Sequence, residues 1–204
     1  QKRIENAMIG LEKLESFIDT LIIIPNDKLL ELAPKLPLQT AFKIADEILT
    51  NAVKGITELV TTNGLVNLDF ADIKAVMTNG GVSLIGMGES DTEQRAIDAV
   101  EKAINNPLLD VDISNATGAL VNVFGGPNMS LDEYKLIIET IGNKLNPEAK
   151  LIGGAQISED MDNSIRVLLI VTGVKSAQIA GSSESTESLK HKEIEEELGI
   201  EFFE

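Results

Sequence analysis

Asn63-Gly-Leu-Val-Asn-Leu-Asp-Phe-Ala-Asp72 sets one carboxamide, Asn67, and two carboxylates, Asp69 and Asp72, on a tight loop that runs straight into a helix. Asp69 reads as the N-cap of that helix and Asp72 as the acid at its third position. Both are favourable at a helix N-terminus, the cap contributing about 0.5–2 kcal/mol. The same carboxylates, on a turn made rigid by capping, can orient a water against a phosphoryl group. The two roles are compatible. What the 204 residues lack is a glycine-rich loop to cradle the phosphate. Gly86-Met-Gly88 has no third glycine and runs into Glu89 and Asp91, which would repel a pyrophosphate. Gly125-Gly126-Pro127 reads as a turn, and Gly153-Gly154 as a bulge or a close backbone approach within a strand.

Upstream of the acidic loop, Ala41, Ile44, Ala45, Ile48, Ala52, Val53, Ile56, Leu59 and Val60 recur at i, i+3, i+4, i+7, which predicts a helix over roughly 40–61. At about 1.5 Å per residue it spans about 30 Å, the width of a small domain, and suits a spine between two subdomains. Before it, Ile4, Met8, Leu11, Leu14 and Ile18 predict a helix over 3–18 with no N-cap in front. A chain that opens inside a helix, with no initiator Met, is expected to be a piece of a longer one. Lys2 and Arg3 at that helix start oppose its macrodipole by roughly a few tenths of a kcal/mol each. They are either a tolerated solvated pair or a pair offset by a nearby anion. Thr20-Leu-Ile-Ile-Ile-Pro25 is a continuous apolar strand of the kind buried on both faces in a parallel sheet.

Downstream the pattern is strand (Val82–Met87), helix to about Asn105, strand (Ala119–Phe124), helix to Leu145, and strands at Lys150–Ile157 and Ile165–Val174. Ser90-Asp-Thr-Glu93 and Ser130-Leu-Asp-Glu133 both have the spacing of a capping box. The last two strands, joined by a polar turn, are expected to pair antiparallel. The region then reads as a mixed four-stranded sheet with two helices on one face, an α+β layer following an α/β remnant.

The composition excludes several classes of function. The net charge is −16, which disfavours nucleic acid and anionic membranes as partners, since phosphate backbones are bound through Lys and Arg. There is no Trp and one Tyr, so aromatic stacking platforms are missing. No Cys is present, which excludes disulfides and thiolate metal sites and fits a reducing cytoplasm. The one His, His191, sits in a charged tail, away from any site for histidine chemistry. No apolar run approaches the roughly 18 residues of a membrane span. From Ile179 the chain holds eight Glu against two Lys and ends Leu-Gly-Ile-Glu-Phe-Phe-Glu, an acidic tail that reads as either a solubilising end or a docking peptide.

Three motifs in order, Leu21-Ile-Ile-Ile-Pro-Asn-Asp-Lys-Leu-Leu30, Ala41-Phe-Lys-Ile-Ala-Asp46 and Gly64-Leu-Val-Asn-Leu-Asp-Phe-Ala-Asp72, resemble FtsZ, the tubulin-like cell-division GTPase family. The strand and helix pattern from 80 to 174 is similar to that family's C-terminal domain. The resemblance implies four segments: a remnant of the nucleotide-binding domain (1–38), the spine helix (39–62), a GTPase-activating domain (63–178) and a flexible acidic tail (179–204). It further implies that Arg3 and Asn26 contact the nucleotide, that Phe42 stacks on guanine, and that Asp46 accepts from guanine N1 and N2. Asp can accept from both donors, a basis for choosing guanine over adenine. It implies that Asn67, Asp69 and Asp72 form a catalytic loop inserted into the nucleotide pocket of the next subunit. GTP or GDP would be the ligand, with Mg²⁺ bound through the phosphates and no metal ligated by this chain.

The partners implied are further copies in a head-to-tail filament and a division protein for the tail, without direct membrane insertion, in the cytoplasm at the division site. The family's phosphate loop is expected in the parallel-sheet half before residue 1, so the chain alone is not expected to hold GTP. The last residues also differ from the familiar bacterial docking peptide with its basic end. An alternative for the chain by itself is a non-enzymatic module that caps or modulates filaments.

Overall fold

The computed structural model describes residues 2–23, 38–62, 64–109 and 112–174. The expected linker and acidic tail, Pro25, Asn26 and the Pro34/Pro37 connection lie outside the described residues. The chain divides into two units, 1–174 and 175–204, and all the described residues belong to the first. Its elements are α1 (Lys2–Glu15), β1 (Thr20–Ile22), α2 (Leu38–Thr61), α3 (Phe70–Met77), β2 (Gly81–Ser90), α4 (Arg95–Ile104), β3 (Gly118–Gly125), α5 (Leu131–Gly142), β4 (Lys150–Ile157) and β5 (Ile165–Thr172).

The strands form one mixed sheet in the order β1-β2-β5-β3-β4. It is antiparallel in the middle, where β5 pairs β2 and β3, and parallel at both ends. The structure corrects two expectations. The sheet has five strands rather than four, because Thr20–Ile22 joins in parallel register with Gly81–Ser83. And β4 does not pair β5: β3 lies between them, parallel to β4 and antiparallel to β5. The polar 158–164 connection crosses over β3, since β5, the most apolar strand, takes the middle of the sheet, where both its edges and both its faces are covered.

Both faces of the sheet are buried, and strand alternation sorts its residues between them. Val167, Leu169 and Val171 of β5 and Ala119, Val121 and Val123 of β3 face α4 and α5, packing with Ala99, Val100, Ala103, Ile137 and Ile141. Leu168, Ile170 and Leu120 face the other way, onto Ala52 and Leu59 of α2 and Ile73 and Val76 of α3. Helix α4 is rich in alanine on its packing face and lies almost on the backbone of β2. A Cβ at Gly86 would strike the Ala103 carbonyl oxygen, and one at Gly88 that of Ala99. These glycines are packing glycines. Register between β3 and β4 is one-to-one through Gly153 and Gly154, so the pair marks close approach, not a bulge; a Cβ at Gly154 would lie 2.5 Å from Leu59 Cδ2.

The two Ser-x-x-Glu motifs part company. Ser130 caps α5 in a full capping box with Glu133. Ser90 instead ends β2, buried and paired with Ile165, and its hydroxyl donates to Asp98 at 3.3 Å. Helix α4 opens at Gln94 with no side-chain cap.

Candidate functional site

The acidic loop is built from the backbone outward. Helix α2 delivers the chain at Thr62, whose N–H donates to the Glu58 carbonyl at 3.0 Å. Val66 then pairs with Ala155 of β4, N–H to carbonyl in both directions at 3.2 and 3.1 Å, a single antiparallel bridge on the edge strand. Gly64 fits beneath it only because it has no side chain, since a Cβ would meet the Ala155 carbonyl oxygen. Asn67 Oδ1 accepts from the Gly64 N–H at 2.6 Å and closes the loop on itself.

The loop ends at the N-cap the sequence predicts, and the structure makes Asp69 and Asp72 a full capping box. Asp69 Oδ1 accepts from the Asp72 N–H at 2.8 Å, and Asp72 Oδ2 accepts from the Asp69 N–H at 3.2 Å. Ile73 and Val76 anchor α3 in the core, so the two acids stand on a fixed helix end. Asp69 is exposed and Asp72 partly so. Each carboxylate has one oxygen in the box, which leaves the other for an outside partner. The structure thus brings Asn67, Asp69 and Asp72 together on a single rigid turn.

Phe42 and Asp46 lie one turn apart on α2, both exposed and on one side of the helix. They are not near the loop along the chain: from Asp46 to Thr61 is about 22 Å of helix axis at about 1.5 Å per residue. Arg3 falls within α1, where its side chain is outside the described residues, as is Asn26 altogether. Among the described residues, no group of three or more His, Asp or Glu could hold a metal ion, and no helix is long and apolar enough to cross a membrane. A cleft of about 310 Å³ between α2 and the sheet is lined by Lys54, Gly55, Glu58, Gln156 and Arg166 among others; Phe42 and Asp46 are not among its lining residues.

Leu65, ahead of the acids, and Phe70, between them, are 66% and 73% exposed, and the sequence motif does not single them out. They share the turn with Val66 and Leu68, which are partly buried, so which of its apolar side chains face solvent is decided by the fold and not by the motif. Gly64 also escapes a reading of the sequence, because its need for space comes from a strand about ninety residues further on.

Comparison with known proteins agrees with this architecture. Residues 81–175 match the model of the FtsZ family, C-terminal domain. The chain is 55% identical over 174 residues to the cell division protein FtsZ 1 of Methanocaldococcus jannaschii, covering 85% of this chain and 48% of that protein. It is 58% identical over 175 residues to that of Thermococcus kodakarensis, covering 86% and 47%. It therefore spans about half the length of the curated relatives it matches. Its structure superposes on an empty FtsZ dimer of M. jannaschii with a TM-score of 0.81, covering 85% of this chain and 50% of that one. A structure of GDP-form protofilaments of Bacillus thuringiensis TubZ, 14% identical with a TM-score of 0.65, shares the fold alone. The fold is tubulin/FtsZ-like, residues 81–175 match the C-terminal domain of the FtsZ family, and the chain covers the C-terminal part of the FtsZ relatives it matches.

Proposed function

We propose that the chain is the C-terminal part of a filament-forming cell-division GTPase and that its 64–72 loop completes the hydrolytic site of an adjacent subunit. The observation that carries this is the loop itself: two carboxylates on a capped, sheet-anchored turn, exposed, with Leu65 and Phe70 exposed beside them. Asp69 and Asp72 polarise the attacking water through the oxygens that the capping box leaves over, and Asn67 helps to orient it.

Phe42 and Asp46, at the other end of α2, receive the guanine of the chain's own nucleotide, and Arg3 and Asn26 contact that nucleotide too. Mg²⁺ is held through the phosphates. Phe42 and Asp46 offer a ring and a carboxylate on one exposed side of α2; the phosphates would be cradled by a half that residues 1–204 do not include. The domain organisation is then remnant 1–38, spine 39–62, activating domain 63–178 and tail 179–204. The far side of α2 supports it, since Leu49 and Val53 are exposed on a helix whose opposite side packs the sheet. Those residues await the other half. Filaments place the protein in the cytoplasm at the division site, with the acidic tail free for a division partner.

Sedimentation of filaments formed by a complete FtsZ, with this chain added, tests the reading from the assembly side. Co-sedimentation that Phe70→Asp abolishes is the expected result. Substoichiometric loss of polymer, with turnover falling in step, would instead make the chain a filament cap. Absence of any interaction would contradict the donated loop.

A further inference from the structure

The carboxamide of Asn67 has one acceptor oxygen with two lone pairs, and the chain's own backbone engages one of them: Oδ1 takes the Gly64 N–H at 2.6 Å. Gly64, in turn, lies against the Ala155 carbonyl with no room for a side chain. Two residues on, Val66 is bonded to Ala155 in both directions. Asp69 is then fixed by Asp72. From Gly64 to Asp72 the loop therefore has three ties, of which the middle one is to the sheet, the last is the helix cap, and the first is Asn67.

We infer that Asn67 orients the attacking water only indirectly, as a positioning residue that aims the loop through its acceptor bond to Gly64, and that its NH₂ does not hold that water. This rests on the donated-loop function and assigns the chemistry of that loop to Asp69 and Asp72 alone. The bond fixes where the turn from α2 releases the chain, and a displacement of about 1 Å at a reacting group can cost about 10²-fold in rate. Loss of the Gly64 tie is therefore enough to explain a slow Asn67 variant without any contact to water. What distinguishes the two roles is which end of the amide matters. Positioning needs only an acceptor at this place; holding a water by donation needs the NH₂.

The test is GTP turnover by this chain mixed with the separately made nucleotide-binding half of M. jannaschii FtsZ, read alongside amide exchange at Gly64 in the chain alone. Asn67→Ala is expected to free the Gly64 amide and to lower turnover about 10²-fold. Asn67→Asp keeps an acceptor and, ionised, has no donor; Asn67→Ser keeps an acceptor without the added charge but retains an O–H donor. Slow Gly64 exchange in these two, with most of the lost turnover restored in Asn67→Asp, is the predicted result; Ser serves as the control for Asp's extra charge. Slow exchange with turnover as low as in Asn67→Ala would overturn the inference, and so would a Gly64 amide that Asn67→Ala leaves unchanged. If the unaltered chain raises no turnover in the mixture, the donated-loop reading itself fails and the inference falls with it.

Discussion

Asp69 and Asp72 hold each other's backbone: each carboxylate accepts the other's N–H, at 2.8 and 3.2 Å, across the first turn of α3. The same pair therefore serves stability and, under the proposed function, hydrolysis. Substitutions separate the two. Asp69→Asn keeps an acceptor for the Asp72 N–H, whereas Asp69→Ala removes it.

Thermal unfolding should place Asp69→Asn near the unaltered chain and Asp69→Ala lower by about 1 kcal/mol, the usual cost of a lost cap. Turnover in the mixture with the nucleotide-binding half should fall about 10²-fold or more in both. An Asp69→Asn chain that retains turnover would show that the charge is not needed and would remove Asp69 from the chemistry.

Gly64→Ala should lift the loop from β4, because the new Cβ meets the Ala155 carbonyl oxygen. A cost of about 1–3 kcal/mol is expected for forcing an atom into that contact. Amide exchange at Val66 and Ala155 should quicken together, since their bridge is mutual. Unchanged protection at both positions would mean that the loop does not depend on this contact.

Arg95 ties four segments at one end of the sheet. It donates to both Glu133 oxygens (2.7 and 3.1 Å), to Asn128 Oδ1 and to the Asn163 carbonyl. The hydrogen bond from Arg95, more than its charge, holds the Glu133 carboxyl below its ordinary value of 4.5, with the Ser130 cap adding to it. A carboxylate with a lowered folded pKa contributes stability that is present above its unfolded value and is lost as pH falls through the folded one. Stability should therefore decline from about pH 4.5 downward. Glu133→Gln should flatten that limb and cost about 2 kcal/mol at neutral pH. Denaturant titrations at several pH values check both; an identical acid limb in the variant would contradict the assignment.

Gly88→Ala should disrupt the α4–β2 contact by driving a Cβ into the Ala99 carbonyl, at a cost of about 1–3 kcal/mol. Ala103→Gly, on the same helix, relieves nothing at that contact and should not restore the loss, which a double-mutant comparison by denaturation would show. If Gly88→Ala is neutral, the glycine is there for some other reason.

What is legible in the residues is whatever is local. The Asp69–Asp72 cap, the Ser130–Glu133 cap and the length of α2 depend on neighbours within a turn or two, and each stands where its spacing puts it. Ser90–Glu93 has the same spacing as Ser130–Glu133 yet caps nothing, because β2 runs to Ser90 to complete its ladder with Ile165. Tertiary pairing there overrides a local preference. The order β1-β2-β5-β3-β4 is illegible for a similar reason: it is set by which apolar strand fills the middle, and adjacency along the chain suggests β4 beside β5 instead. At the site, the three polar residues are visible as a motif. The anchoring of their loop to Ala155 is not, since nothing in residues 63–72 announces a partner strand so far downstream.

Whether this chain brings the hydrolytic loop and lacks the phosphate cradle is decided by GTP turnover, measured for the chain alone and again with the separately made nucleotide-binding half of M. jannaschii FtsZ. Silence alone and turnover on mixing, abolished by Asp69→Ala in this chain, is the expected result. Turnover by the chain alone, or silence in a mixture shown to associate, would contradict it.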